Sequence, residues 1–88
     1  MYVVHFSEDA KKDVILLQKH APKLLPKLYR LVDELKEHPR SGTGKVEQLK
    51  HYPNETWSRR LSREHRMVYE IYDNEVLVVV LSSYGHYE

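Results

Sequence analysis

The 88-residue sequence contains no cysteine, which excludes disulfides, thiolate metal sites and a cysteine nucleophile. No apolar run approaches the roughly 20 residues needed to span a membrane. The start, Met1-Tyr2-Val3-Val4-His5-Phe6, is too short for a signal-peptide core and is followed at once by Glu8 and Asp9. The expected location is therefore the cytoplasm, with no membrane partner. None of the six histidines stands in a His-x-His or His-x-x-x-His pair, and no paired carboxylates sit at ligand spacing. No metal site or other cofactor is expected. Glycine is scarce, at three residues. Two of them fall in Gly42-Thr43-Gly44-Lys45, which suggests a phosphate loop but fails the pattern twice. Pro39 stands where its first glycine belongs, and Val46 replaces the required Ser/Thr. These glycines are read instead as a flexible entry into the segment carrying Glu47.

Charge of one sign is missing locally. Residues 67–88 hold no Lys or Arg against four acidic residues, whereas residues 45–66 hold six Lys/Arg against three. The formal net charge of +1 hides this division. The basic middle segment is either a solvated surface or a patch for a polyanion, whose phosphates Lys and Arg would hold.

Eighty-eight residues make one domain with a small core. Tyr2–Phe6 reads as a strand. Ser7 is placed to cap a helix running to about His20, with Glu8 and Asp9 in its first turn. Pro22 marks a break. Leu24, Leu28, Leu31 and Leu35 form the apolar stripe of a second helix, from about Leu24 to Lys36. Pro26 fits only in its first turn. After His38-Pro39 and a Ser-Gly-Thr-Gly loop, four strands are expected: Val46–Leu49, Thr56–Leu61, Arg66–Tyr72 and Val76–Ser82. Asp73-Asn74 reads as a tight hairpin connection. The unbroken apolar run of the last strand suggests a central strand covered on both faces. The fold class is α+β: an N-terminal strand and a helical hairpin packed on a twisted antiparallel sheet.

That last strand would anchor Gly85-His86-Tyr87, which follow it. A carboxylate, Glu47, an imidazole, His86, and several guanidinium groups are the components of a metal-free RNA-cleaving site. Arg59 and Arg60 are adjacent, so on a strand they point to opposite faces. His65 and Arg66 must also point apart, so only one of them faces the site; His65, like most histidines, is more often structural than catalytic.

Three blocks carry a resemblance. Trp57-Ser58-Arg59-Arg60-Leu61 with Glu64-His65-Arg66-Met67-Val68-Tyr69 is similar to the WSRR(I/L)…EHR(L/M)VY signature of the YoeB/Txe toxins, within the RelE/ParE superfamily of bacterial toxin–antitoxin systems. Gly42-x-Gly44-Lys45-x-Glu47-x-Leu49-Lys50-His51 resembles their GxGKPEPLKH element, and His86-Tyr87 their terminal HY. Val46 and Gln48 replace the family's prolines, and Glu88 follows the tyrosine. The resemblance implies a single toxin domain over residues 1–88 with the fold of small microbial ribonucleases. It implies a ribosome-dependent endoribonuclease that cleaves messenger RNA at A-site codons. A YefM/Phd-type antitoxin would be its partner, with a homodimer among its assemblies. Carried over by motif, Glu47 is the general base, His86 the general acid and Arg66 a phosphate ligand. Tyr87 positions substrate or acid, and Lys45, Lys50 and Arg60 contact RNA. Two other readings are a same-fold inhibitor of DNA gyrase and a non-catalytic RNA- or ribosome-binding module.

Overall fold

Ser7 has extended backbone angles, and its Oγ accepts the Ala10 amide at 3.0 Å, which starts the first helix at Glu8. In the computed structural model, which describes residues 1–85, this helix, α1 (Glu8–His20), follows strand β1 (Val3–Phe6). A 3-10 turn over Pro22–Leu24 reverses the chain into α2 (Leu25–Glu37), with Pro26 in the first turn as expected. Strands β2 (Glu47–Leu49), β3 (Thr56–Arg60), β4 (Arg66–Tyr72) and β5 (Leu77–Ser82) follow. No helix among the described residues is long and apolar enough to cross a membrane.

The sheet order is β1-β5-β4-β3-β2. Strands β5 to β2 are antiparallel, as expected, but β1 joins β5 in parallel, with Val4 opposite Val78. The helical hairpin between β1 and the rest of the sheet supplies the long crossover that parallel pairing needs. Ala10, Leu17, Leu28, Leu31 and Leu35 pack on Met67, Tyr69, Ile71, Val78 and Val80 to form the core. The helices cover one face only. Strand β5 is therefore not covered on both faces: Val78, Val80 and Ser82 are buried, while Leu77, Val79 and Leu81 are half-buried. Its apolar run reflects its place beside β4 and β1 rather than a second layer.

The connection at Asp73 also differs from the expected tight hairpin. It is a 3-10 turn over Asp73–Glu75, closed by Val76 in the left-handed region at φ 51°. Tyr2 Oη donates to Asp73 at 2.6 Å, and Arg40 donates to both Asp73 (2.8 Å) and Glu55 (2.8 and 2.9 Å). These bonds fasten the turn to β1 and to the loop after α2.

Arg59 is fully buried on the helix face. Its Nε donates to Tyr69 Oη (3.1 Å) and Nη1 to Glu34 (2.7 Å) and the Thr43 carbonyl (3.5 Å). Nη2 donates to the carbonyls of His38 and Ser41. All five donors of the guanidinium are thus used. Tyr69 Oη in turn donates to the Pro39 carbonyl at 2.7 Å, and burial pushes this phenol's pKa up. The loop from His38 to Gly44 is therefore bound into the fold, which corrects the reading of its glycines as a flexible entry. Gly42, at φ 124°, lies so close to the Glu34 carboxylate that a Cβ would collide with it.

Two outcomes are expected. Arg59→Met leaves Glu34 and several carbonyls without their donor, and should cost about 3–5 kcal/mol in chemical denaturation; a loss below about 1 kcal/mol would contradict the network. Burial alone would raise the Glu34 carboxyl, but the Thr43 hydrogen bonds and the Arg59 charge hold it below its usual value. Bonds from Arg40 lower Glu55, and those from Tyr2 and Arg40 lower Asp73. Groups with lowered folded-state pKa values contribute stability above the unfolded-state pKa and lose it as pH falls through the folded one. Melting temperature should hold near neutrality and drop below about pH 4. Glu34→Gln should flatten part of that acid limb in a pH series of thermal melts.

Candidate active site on the open face of the sheet

The face of the sheet away from the helices holds the residues singled out from the sequence. Antiparallel register sets Glu47 opposite Ser58 and Ser58 opposite Val68, a row across three strands. In the next row Arg60 lies opposite Arg66. Since Arg59 is committed to the helix face, Arg60 is the guanidinium of the pair on the open face, and it is half-buried.

Arg66 Nη1 donates to Glu47 Oε1 and to Ser58 Oγ, both at 3.3 Å. The Arg66 side chain is 18% exposed and that of Glu47 59%. An ion pair this long and this exposed contributes little, about 0–1 kcal/mol, so an incoming phosphate can displace it. Two arginines directly opposite each other repel unless an anion lies between them. The arrangement is thus suited to a phosphodiester: two guanidinium groups to hold the oxygens, and a solvent-accessible carboxylate beside them to take a proton. Ser58 had not been singled out from the sequence. Its alternation with Trp57 was the available signal, since Trp57 packs against the core and Ser58 must then face the other way.

Lys45 and Lys50 flank β2 and are exposed. Lys45 (φ 50°) and His51 (φ 71°) both adopt left-handed backbone conformations, which non-glycine residues seldom do outside tight turns and functional segments. They bracket the short strand that presents Glu47. Gly44 fixes where that strand begins. Its carbonyl accepts the Arg60 amide, and a Cβ on it would lie 2.7 Å from the Arg60 carbonyl oxygen.

His65 and Arg66 point apart, as expected for neighbours entering a strand. The His65 ring is buried, stacks on Tyr84 at 4.5 Å and accepts the Gly85 amide on Nδ1 at 2.8 Å. The Gly85 carbonyl accepts the Arg66 amide at 3.0 Å. Strand β5 and the segment after it therefore return to the start of β4, beside Arg66. His86 and Tyr87 lie outside the described residues. Among the described residues no three His, Asp or Glu side chains gather as a metal site.

Residues 6–87 match the family described as YoeB-like toxin of bacterial type II toxin–antitoxin system. The chain belongs to the YoeB-like toxin family. It is 37% identical over 87 residues to toxin RelK of Mycobacterium tuberculosis (strain H37Rv), covering 99% of this chain and 100% of the relative. Among solved structures it resembles the YoeB/ParE toxin from Agrobacterium tumefaciens, with a TM-score of 0.87, 29% identity and coverage of 99% and 100%. It also resembles a chain of the heterotetrameric YoeB–YefM toxin–antitoxin complex from Staphylococcus aureus, with a TM-score of 0.80, 30% identity and 99% coverage of each chain. The α+β fold with its helical hairpin is the fold of these toxins.

Gly44 links the fold to the site. At φ 96° it occupies backbone space that other residues avoid. Gly44→Ala should cost about 1–3 kcal/mol from that strain, with a further loss from the contact with Arg60. Denaturant titration checks this, and an unchanged midpoint would show that the loop re-forms without the close approach.

Proposed function

We propose that this toxin is a ribosome-dependent endoribonuclease that cleaves messenger RNA at A-site codons, in the cytoplasm, by metal-independent acid–base catalysis. The observation that carries this reading is the meeting of Glu47 with Arg66 across β2, β3 and β4, with Arg60 opposite Arg66. RNA supplies its own nucleophile. The Glu47 carboxylate takes the proton of the 2′-hydroxyl, and the 2′-oxygen attacks the adjacent phosphorus. The 5′-oxygen leaves with a proton from the His86 imidazolium. The products are a 2′,3′-cyclic phosphate and a 5′-hydroxyl, with no water consumed. Arg66 and Arg60 hold the phosphate oxygens as charge builds on them. Lys45 and Lys50 hold flanking phosphates, and Tyr87 positions the acid or the substrate.

A carboxylate is a weak base, and proton transfer by each group supplies about 10²–10⁴-fold. The remainder must come from orientation. A small enzyme with few substrate contacts benefits from a scaffold that presents the RNA, and the decoding centre is one. The S. aureus relative is assembled with YefM. A YefM/Phd-type antitoxin is proposed as the partner here, folding over the basic face and covering Glu47 and Arg66.

Primer extension on ribosome-bound messenger RNA tests the reading. The wild-type protein should produce a discrete stop within the A-site codon. Glu47→Ala and Arg66→Ala should each lower the cleavage rate about 10²–10⁴-fold while remaining folded. A stop that persists in both variants would reassign the chemistry. No stop with folded wild-type protein would overturn the nuclease reading.

A further inference from the structure

Strand β5 ends at Ser82, and a segment that leaves a sheet keeps its place only through the bonds it makes beyond it. Here each of the next three residues is fastened. The Ser83 amide donates to Asp13 Oδ2 on α1 at 3.0 Å. The Tyr84 ring lies on the His65 imidazole, 4.5 Å between centroids and 25° between planes. Gly85 is held from both sides: its N–H donates to His65 Nδ1 at 2.8 Å, and its carbonyl accepts the Arg66 N–H at 3.0 Å. Gly85 has a φ of 83°, although a Cβ there would meet nothing within 4 Å. Glycine is thus favoured at this position for its conformation and not for space. The left-handed turn lets both polar groups of one residue face the start of β4.

His65 is itself well braced. Its amide donates to Ser62 Oγ at 3.1 Å, and its carbonyl accepts the Leu61 and Ser62 amides at 2.9 and 3.1 Å. The imidazole therefore projects from a closed turn. Because Nδ1 accepts, the neutral ring carries its proton on Nε2. The imidazole offers a flat face to Tyr84 and an acceptor at its near edge to Gly85, and few side chains combine the two.

We propose that His65 is a positioning residue for RNA cleavage: through Nδ1 and its ring face it holds Tyr84 and Gly85, the residues that lead into His86 and Tyr87, beside Arg66. The proposal rests on the function given above for its catalytic consequence, but not for the anchoring itself. His86 is joined directly to Gly85, and Arg66 supplies the second bond to Gly85 through its own amide. One pair of consecutive residues thus carries the proposed phosphate ligand on one side of the strand and the anchor for Gly85 on the other.

Two variants separate the acceptor from the ring. His65→Phe keeps an aromatic face for Tyr84 and removes the acceptor. His65→Asn places an acceptor near the position of Nδ1 without the ring. In His65→Phe the Gly85 amide should lose at least about tenfold of its hydrogen-exchange protection, measured by NMR. The cleavage rate at saturating ribosomes should fall about 10–100-fold, with the half-saturating ribosome concentration unchanged. His65→Asn should recover the Gly85 protection and most of the rate, even where its melting temperature is lower than that of His65→Phe. Wild-type cleavage by folded His65→Phe would overturn the proposal, as would activity that tracks melting temperature alone across both variants. If wild-type protein leaves ribosome-bound messenger RNA intact, the functional reading fails separately. The anchor is then decided by Gly85 exchange, which supports it if protection is lost in His65→Phe and overturns it if protection is unchanged.

Discussion

A guanidinium buried without charge compensation would cost several kcal/mol, and Arg59 is buried completely. The fold meets that cost by turning five oxygen atoms toward it: the Glu34 carboxylate on α2, three carbonyls of the loop that follows, and the phenol of Tyr69 on β4. One side chain therefore joins the second helix, the loop and two strands. The consequences run outward to the surface. With Arg59 committed inward, strand alternation sends Arg60 and Ser58 to the open face. With the loop bound to Arg59, Gly44 is pressed against Arg60, and β2 begins where Glu47 comes opposite Ser58. The placement of the candidate base is thus a distant effect of a buried cation.

Much of this was legible in the sequence. The Ser7 cap, the leucine stripe of α2, Pro26 in the first turn and the four later strands follow from local rules, because each depends on residues a few positions apart. The parallel pairing of β1 with β5 did not follow, since it joins residues more than 70 positions apart and leaves no local signature. The continuous apolar run of β5 was misleading for a related reason. Val79 and Leu81 are only half-buried, and nothing in the run itself distinguishes a strand covered on both faces from one flanked on both edges. The Asp73 turn was read as a two-residue hairpin, whereas bonds from Tyr2 and Arg40, remote in the chain, hold a 3-10 turn that ends at Val76.

The site divides in the same way. That Arg59 and Arg60 must part, and His65 and Arg66 likewise, follows from the pleat of a strand. Which member of the first pair turns inward depends on Glu34 and on carbonyls 18 to 21 residues away, and the sequence holds no sign of it. The glycines of the Gly42–Gly44 loop looked like a source of flexibility, but they serve close approach in a segment bound at several points. Ser58 escaped notice because a serine inside a basic block has no chemical signature until its neighbour Trp57 is known to face the core.

In the proposed function, Glu47 and His86 cut RNA through its own 2′-hydroxyl, with the phosphate held by Arg66 and Arg60. The end groups of the cleaved RNA test this chemistry most directly. Transcripts cut on the ribosome should yield a downstream fragment that polynucleotide kinase labels without prior phosphatase treatment, and an upstream fragment ending in a 2′,3′-cyclic phosphate. A downstream fragment bearing a 5′-phosphate would mean that water was the nucleophile, and would contradict the role given to Glu47.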